Sequence, residues 1–205
     1  SIQTLGTFIC SNKDKRWWVL WLFIGGIMAA VFIYGWFING GDLAYGRLDR
    51  IPQPENISFL QLFAPVVLLI LTRLRVPVST TFLLLSVFST NKTILGMIEK
   101  TAIGYIVAFV AAILLWGLVT ELVKRNIFFK EHYNKRNWRI LQWVSTGFLW
   151  TTWLMQDTAN VTVFLPRVTS LGMLLAIVTS LFLLLGILLY NQGGRIQDII
   201  NEKKD

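Results

Sequence analysis

The sequence predicts an all-α integral membrane protein, a helical bundle with a broken or re-entrant hairpin and about four to six membrane segments. Three observations carry this expectation. The 205-residue chain is 55% apolar and contains 9 Trp and 14 Phe. Its mean hydropathy of +0.60 lies above the usual balance of a soluble domain. Apolar runs long enough to cross a bilayer, which takes roughly 20 residues, recur along the chain, and one of them is interrupted by Pro77-Val78-Ser79-Thr80-Thr81.

The elements follow in order within one transmembrane domain, residues 1–205. Residues 1–16 are polar and read as a cytoplasmic N-terminal segment. The apolar run 17–38 lacks a small-residue cleavage site of the A-x-A type, so it reads as a retained span rather than a signal peptide. The connection Asn39 to Asn56 holds Gly40, Gly41, Pro52 and Pro54, which predicts an ordered surface loop or short amphipathic element. Residues 57–90 form the broken hairpin. Arg73-Leu74-Arg75 and Pro77 divide that stretch into halves too short for a straight crossing, and Pro65 weakens the regularity of the first half. A second span covers 101–123, a basic cytoplasmic loop 124–139, a polar-site segment 140–166, and a last span 168–190. The polar tail 191–205 begins near Gly193-Gly194, which can stop a helix.

Charge sets the expected orientation. The net charge is +8 with 19 basic residues. If the N-terminus and hairpin tip face inward, only Arg47, Arg50, Lys92, Lys100 and Arg167 fall outside, so the other fourteen of the 19 lie on the inner side. This predicts a multi-pass protein of the cell inner membrane with both termini cytoplasmic. The same bias explains the basic excess without nucleic acid as a partner. Trp17, Trp18, Trp138 and Trp143 fall near inner boundaries, as headgroup anchors do. The loop 124–139, with Phe128, Phe129 and Tyr133 among its basic residues, suits anionic membrane lipid and offers a surface to a cytoplasmic protein partner. Cys10 is the only cysteine, which excludes an internal disulfide, and His132 reads as a solvated loop residue.

Two polar elements stand out against the apolar background. In Pro77 to Thr81 the proline removes a backbone donor, and Ser79 can then cap a short restarted helix whose free amides and positive dipole end favour anions. Discontinuous membrane helices build substrate and ion sites from such ends. In Gln156-Asp157-Thr158-Ala159-Asn160, Asp157 and Asn160 share one helix face. A carboxylate at bilayer depth costs about 2.5 to 3.5 kcal/mol on insertion scales and usually faces a polar cavity. Beside an amide it suits an oxygen-coordinated cation such as sodium, or a proton carried on the acid. The alternatives are a proline kink whose hydroxyls bond their own helix, and an Asp157 that caps a helix at the outer interface with Arg167 as its counter-charge.

With these residues in view, the stretch from about Val76 to Pro166 resembles the inorganic phosphate transporters, the phosphate permeases that move phosphate with sodium or protons. Pro77 through Thr81 is similar to the family's Pro-Val-Ser-Thr-Thr-His motif, with Phe82 at the histidine. Gln156-Asp157-Thr158-Ala159-Asn160 is similar to its Asn-Asp-Val-Ala-Asn core. The resemblance implies phosphate or a similar oxyanion held by Ser79, Thr80, Thr81 and Asn160, and a coupling sodium ion or proton at Asp157, Gln156 and Asn160. The family carries two inverted copies of the repeat and this chain one of each motif, which implies a homo-oligomer, a second subunit or a longer chain. No catalytic triad, glycine-rich phosphate loop or paired-histidine metal motif is present, so the sequence predicts neither an enzyme nor a resident cofactor or metal. The rival expectation is a non-transporting membrane scaffold or sensor subunit of a multi-protein envelope or antiviral defence complex.

Overall fold

The computed structural model describes residues 2–54, 56–74, 78–124 and 135–191. Among them the chain is all-helical, with seven helices and no strand: α1 (Ile2–Ser11), α2 (Trp17–Ile38), α3 (Phe59–Arg73), α4 (Thr80–Ser86), α5 (Asn91–Lys124), α6 (Lys135–Thr162) and α7 (Leu171–Tyr190). Three of them, α2, α5 and α7, are long and apolar enough to cross a membrane.

α2 is the centre of the fold. It is apolar on every face, as a helix packed on several neighbours must be. α7 runs antiparallel to it: Trp17 meets Tyr190 edge-to-face at one end, and the Trp36 indole donates to the Thr169 carbonyl at 2.8 Å at the other. α6 runs parallel to α2, with Phe23 against Trp143 and the Trp150 indole donating to the Ile24 carbonyl at 3.1 Å. α6 and α7 therefore both lean on α2 and barely on each other, which leaves a cleft between them. The start of α2 and the end of α7 share one end of the bundle. The fold has two buried clusters. One holds Phe8, Ile24, Phe32, Trp150 and Leu174 from α1, α2, α6 and α7. The other gathers Leu48 and Ile51 of the 39–56 connection, Leu85 and Phe88 of the α4 region, and Ala159 and Val163.

The sequence expectations meet several differences. Residues 1–16 are not simply a polar segment. Ile2–Ser11 forms α1, which lies on α6 with Leu5 and Phe8 only 1% exposed. Asn12, fully buried, donates to Gln142 Oε1 at 3.3 Å and accepts from the Trp143 indole at 3.0 Å. Trp143 packs against Phe8 and Phe23. Pro65 lies inside α3 without ending it, and a capping box between Ser58 and Gln61 closes the start of the helix. α5 begins already at Asn91, ahead of the expected start at 101. The predicted loop 124–139 is helical from Lys135 onward, while 125–134 lie outside the described residues, as do 192–205 of the tail. α6 stops at Thr162 and α7 starts at Leu171, which trims the predicted 140–166 and 168–190 segments.

The connection after α2 is ordered by its glycines and one aspartate. Gly40 and Gly41 take positive φ, and the Gly41 amide returns to the Trp36 carbonyl at 2.8 Å, closing the helix end. Asp42 then accepts from the amides of Ala44 and Gly46, each at 2.7 Å, and folds the turn that buries Leu43, Ala44 and Leu48.

Candidate functional site

The broken hairpin and the polar segment of α6 meet at the second buried cluster. α3 ends at Arg73, residues 75–77 lie outside the described residues, and α4 restarts at Thr80 with Ser79 as its N-cap. The Ser79 hydroxyl accepts from the Phe82 amide at 3.3 Å, the cap that the sequence suggests. This restart places Thr81 in the first turn of α4, against the last turns of α6.

Asn160 is the point of contact. Its side-chain amide donates to the Thr81 hydroxyl at 3.2 Å and to Asp157 Oδ1 at 3.4 Å. Both acceptors share the same NH2 group, so one residue joins the two sequence motifs. Asn160 Oδ1 is buried and has no partner among the described residues. A buried acceptor left unmatched costs about 1 to 3 kcal/mol, so this oxygen is set to receive a donor or a cation. Asp157 is half-buried, and among the described residues no ion pair reaches it.

The remaining expected residues separate. Thr80 and Gln156 are exposed, and no described hydrogen bond ties either to the Thr81–Asn160–Asp157 group. Ser79 is exposed and spends its hydroxyl on the α4 cap. Pro77, part of the same motif, lies outside the described residues. Of the six expected site residues, the structure thus joins Thr81, Asp157 and Asn160 and leaves Ser79, Thr80 and Gln156 apart.

Arg167 does not serve as the counter-charge of Asp157. Its Nη2 donates to the carbonyls of Ile51 and Pro52, at 2.9 and 3.2 Å, and so pins the connection after α2 to the α6–α7 turn. Burial draws its guanidinium below the ordinary arginine range, with Asp42 and Asp49 acting in the opposite sense. Nor does Asp157 cap a helix at an interface, since α6 continues beyond it to Thr162.

Sequence reasoning missed the residues that hold the connection after α2. Thr169 is buried and donates its hydroxyl and its amide to the Gly41 carbonyl, at 2.9 and 3.0 Å. Tyr45, at a φ of 54°, donates its hydroxyl to the Val31 carbonyl at 2.6 Å. Neither carries a local signal, because each depends on a partner far along the chain. Among the described residues no group of three or more His, Cys, Asp or Glu is placed to hold a metal ion. The arrangement offers a hydroxyl, an amide, an unmatched carbonyl oxygen and a carboxylate, all ligand types for a cation or for an oxyanion with its counter-ion. No protein-family model, curated protein or solved structure matches the chain.

Proposed function

We propose that this chain is a membrane-embedded transport protein similar to the phosphate permeases, taking up phosphate or a similar oxyanion together with sodium or a proton. The observation that carries the reading is the Asn160 bridge, which brings a hydroxyl of the restarted helix and the carboxylate of α6 to one place. Transporters commonly form their sites where a broken helix meets a polar segment. Asp157 and Asn160 take the coupling ion, and Thr81 and Asn160 meet the anion. Gln156, Ser79 and Thr80 join only if the α4 start rearranges during transport.

Three helices of sufficient length and apolarity support a location in the membrane. The shared end of α2 and α7, together with the fourteen-to-five basic bias, supports cytoplasmic termini and the inner membrane. A single copy of each motif supports an oligomer or a second subunit. The test is phosphate uptake by purified protein in proteoliposomes under an imposed sodium or proton gradient. Uptake that depends on the gradient and disappears in Asp157→Asn is expected. Wild-type protein that moves no more phosphate than empty vesicles ends the reading.

One observation favours a second reading, a scaffold or sensor subunit. α5 is exposed from Ile98 to Val119 and meets the bundle mainly through its first turns, as a helix that docks on another protein would be. Copurification of a cytoplasmic partner that is lost when 124–139 is replaced, without uptake, would support it.

A further inference from the structure

The cleft between α6 and α7 holds a cavity of about 220 Å³, backed by Met28 and Phe32 of α2 and walled by Trp150 and Asp157 of α6. It exists because α6 and α7 are each held by α2 and not by one another. Val161 on α6 and Leu184 on α7, 39% and 60% exposed, line it from either side, so it opens between these two helices. Asp157 is the one formal charge in its wall, and Thr158 the one further polar side chain.

We propose that this cleft binds a lipophilic organic cation, an amphiphilic ammonium or phosphonium that inserts its apolar body and pairs its charge with Asp157. Three features select that chemistry. The apolar wall rejects hydrated ions, because an ion stripped of water needs direct partners. A neutral hydrocarbon chain would fit the wall but would leave the carboxylate facing it unmatched. A cation meets the acid and lies beside the aromatic side chains of Phe32 and Trp150, which line the same cavity, and aromatic rings attract positive charge. Asp157 has capacity for this: among the described residues its bond is the long 3.4 Å contact from Asn160, and no ion pair reaches it. The site lies on the α7 side of Asp157, whereas Thr81 belongs to α4. The inference therefore does not rest on phosphate transport.

The experiment measures binding of radiolabelled tetraphenylphosphonium to the full chain in lipid nanodiscs, with tetraphenylborate as the probe of similar shape and opposite charge. Saturable binding of the cation, and none of the anion, is expected. Asp157→Asn should weaken cation binding about tenfold or more, the usual scale for losing one partner of a poorly solvated charge pair. Leu184→Trp fills the mouth from an exposed position, leaves Thr81, Asp157 and Asn160 intact, and should weaken binding to a similar degree. Equal uptake of both probes, or cation binding unchanged in Leu184→Trp, would overturn the proposal. Phosphate uptake by Leu184→Trp at the wild-type rate, with cation binding lost, separates this site from the transport reading.

Discussion

Asn160 donates to the hydroxyl of Thr81 at 3.2 Å across a sequence separation of 79 residues, and this single contact ties the restart of the broken hairpin to the end of α6. The same amide group reaches Asp157. Removing the hydroxyl without changing the shape, as in Thr81→Val, leaves half of that amide unmatched. We expect a stability loss of about 1 kcal/mol, within the usual range for one such bond. Thr81→Ser should restore it. Thermal melting of the purified protein distinguishes the two, and equal melting of Thr81→Val and wild type would mean that the contact does not hold α4.

The α2–α7 interface depends on two glycines. A Cβ at Gly25 would overlap the ring of Phe182, and one at Gly186 would come within 3.0 Å of the Trp21 indole. Trp21 in turn donates to the Phe182 carbonyl at 2.8 Å, which holds the indole, and its ring packs on that of Phe182. Gly25→Val should destabilise by about 1 to 3 kcal/mol through overpacking. Gly26→Val, where nothing lies within 4 Å, should change stability little. A chemical-denaturation series on both variants decides, and similar midpoints would argue against close packing at Gly25.

Arg167 holds the connection after α2 through the carbonyls of Ile51 and Pro52. Arg167→Met keeps much of the apolar stem but strands the carbonyl of the buried Ile51, at a cost of about 1 to 3 kcal/mol. Hydrogen exchange should accelerate through residues 39–54 while the middle of α2 keeps its protection. Unchanged exchange in the connection would show that the turn of Asp42 suffices without the arginine.

Burial raises the Tyr45 phenol above its ordinary value of 10.0, and Tyr34 adds to the shift. The fold therefore favours the protonated hydroxyl that donates to Val31. Its contribution is complete below about pH 10 and is lost as the pH rises through the raised value, because the unfolded chain gives up its proton first. Melting of the wild type should decline more steeply than that of Tyr45→Phe above about pH 10. Parallel curves would contradict the assignment.

Local chemistry made much of the helical layout legible in advance. The apolar run Trp17–Ile38 became α2 with the expected limits, since no charge, proline or cap signal interrupts it before Asn39 and the two glycines. Ser79 capped a restarted helix because a hydroxyl ahead of free amides has few better partners. Pro65 did not divide the first half of the hairpin, since α3 runs through it from the Ser58 cap to Arg73. The burial of Leu5 and Phe8 was also hidden, since α1 becomes one wall of a core only when Asn12 finds Gln142 and Trp143.

The sequence by itself determined the all-helical class, the limits of α2 and which few polar side chains interrupt the apolar runs, because these follow from interactions within a few residues. Which of those polar groups meet was decided only by the tertiary structure. The direction of α6 along α2 brings Asn160 to Thr81, turns Arg167 toward backbone carbonyls, and opens Asp157 onto a cleft. Those outcomes depend on how helices far apart in the chain share one neighbour, and no local spacing encodes that.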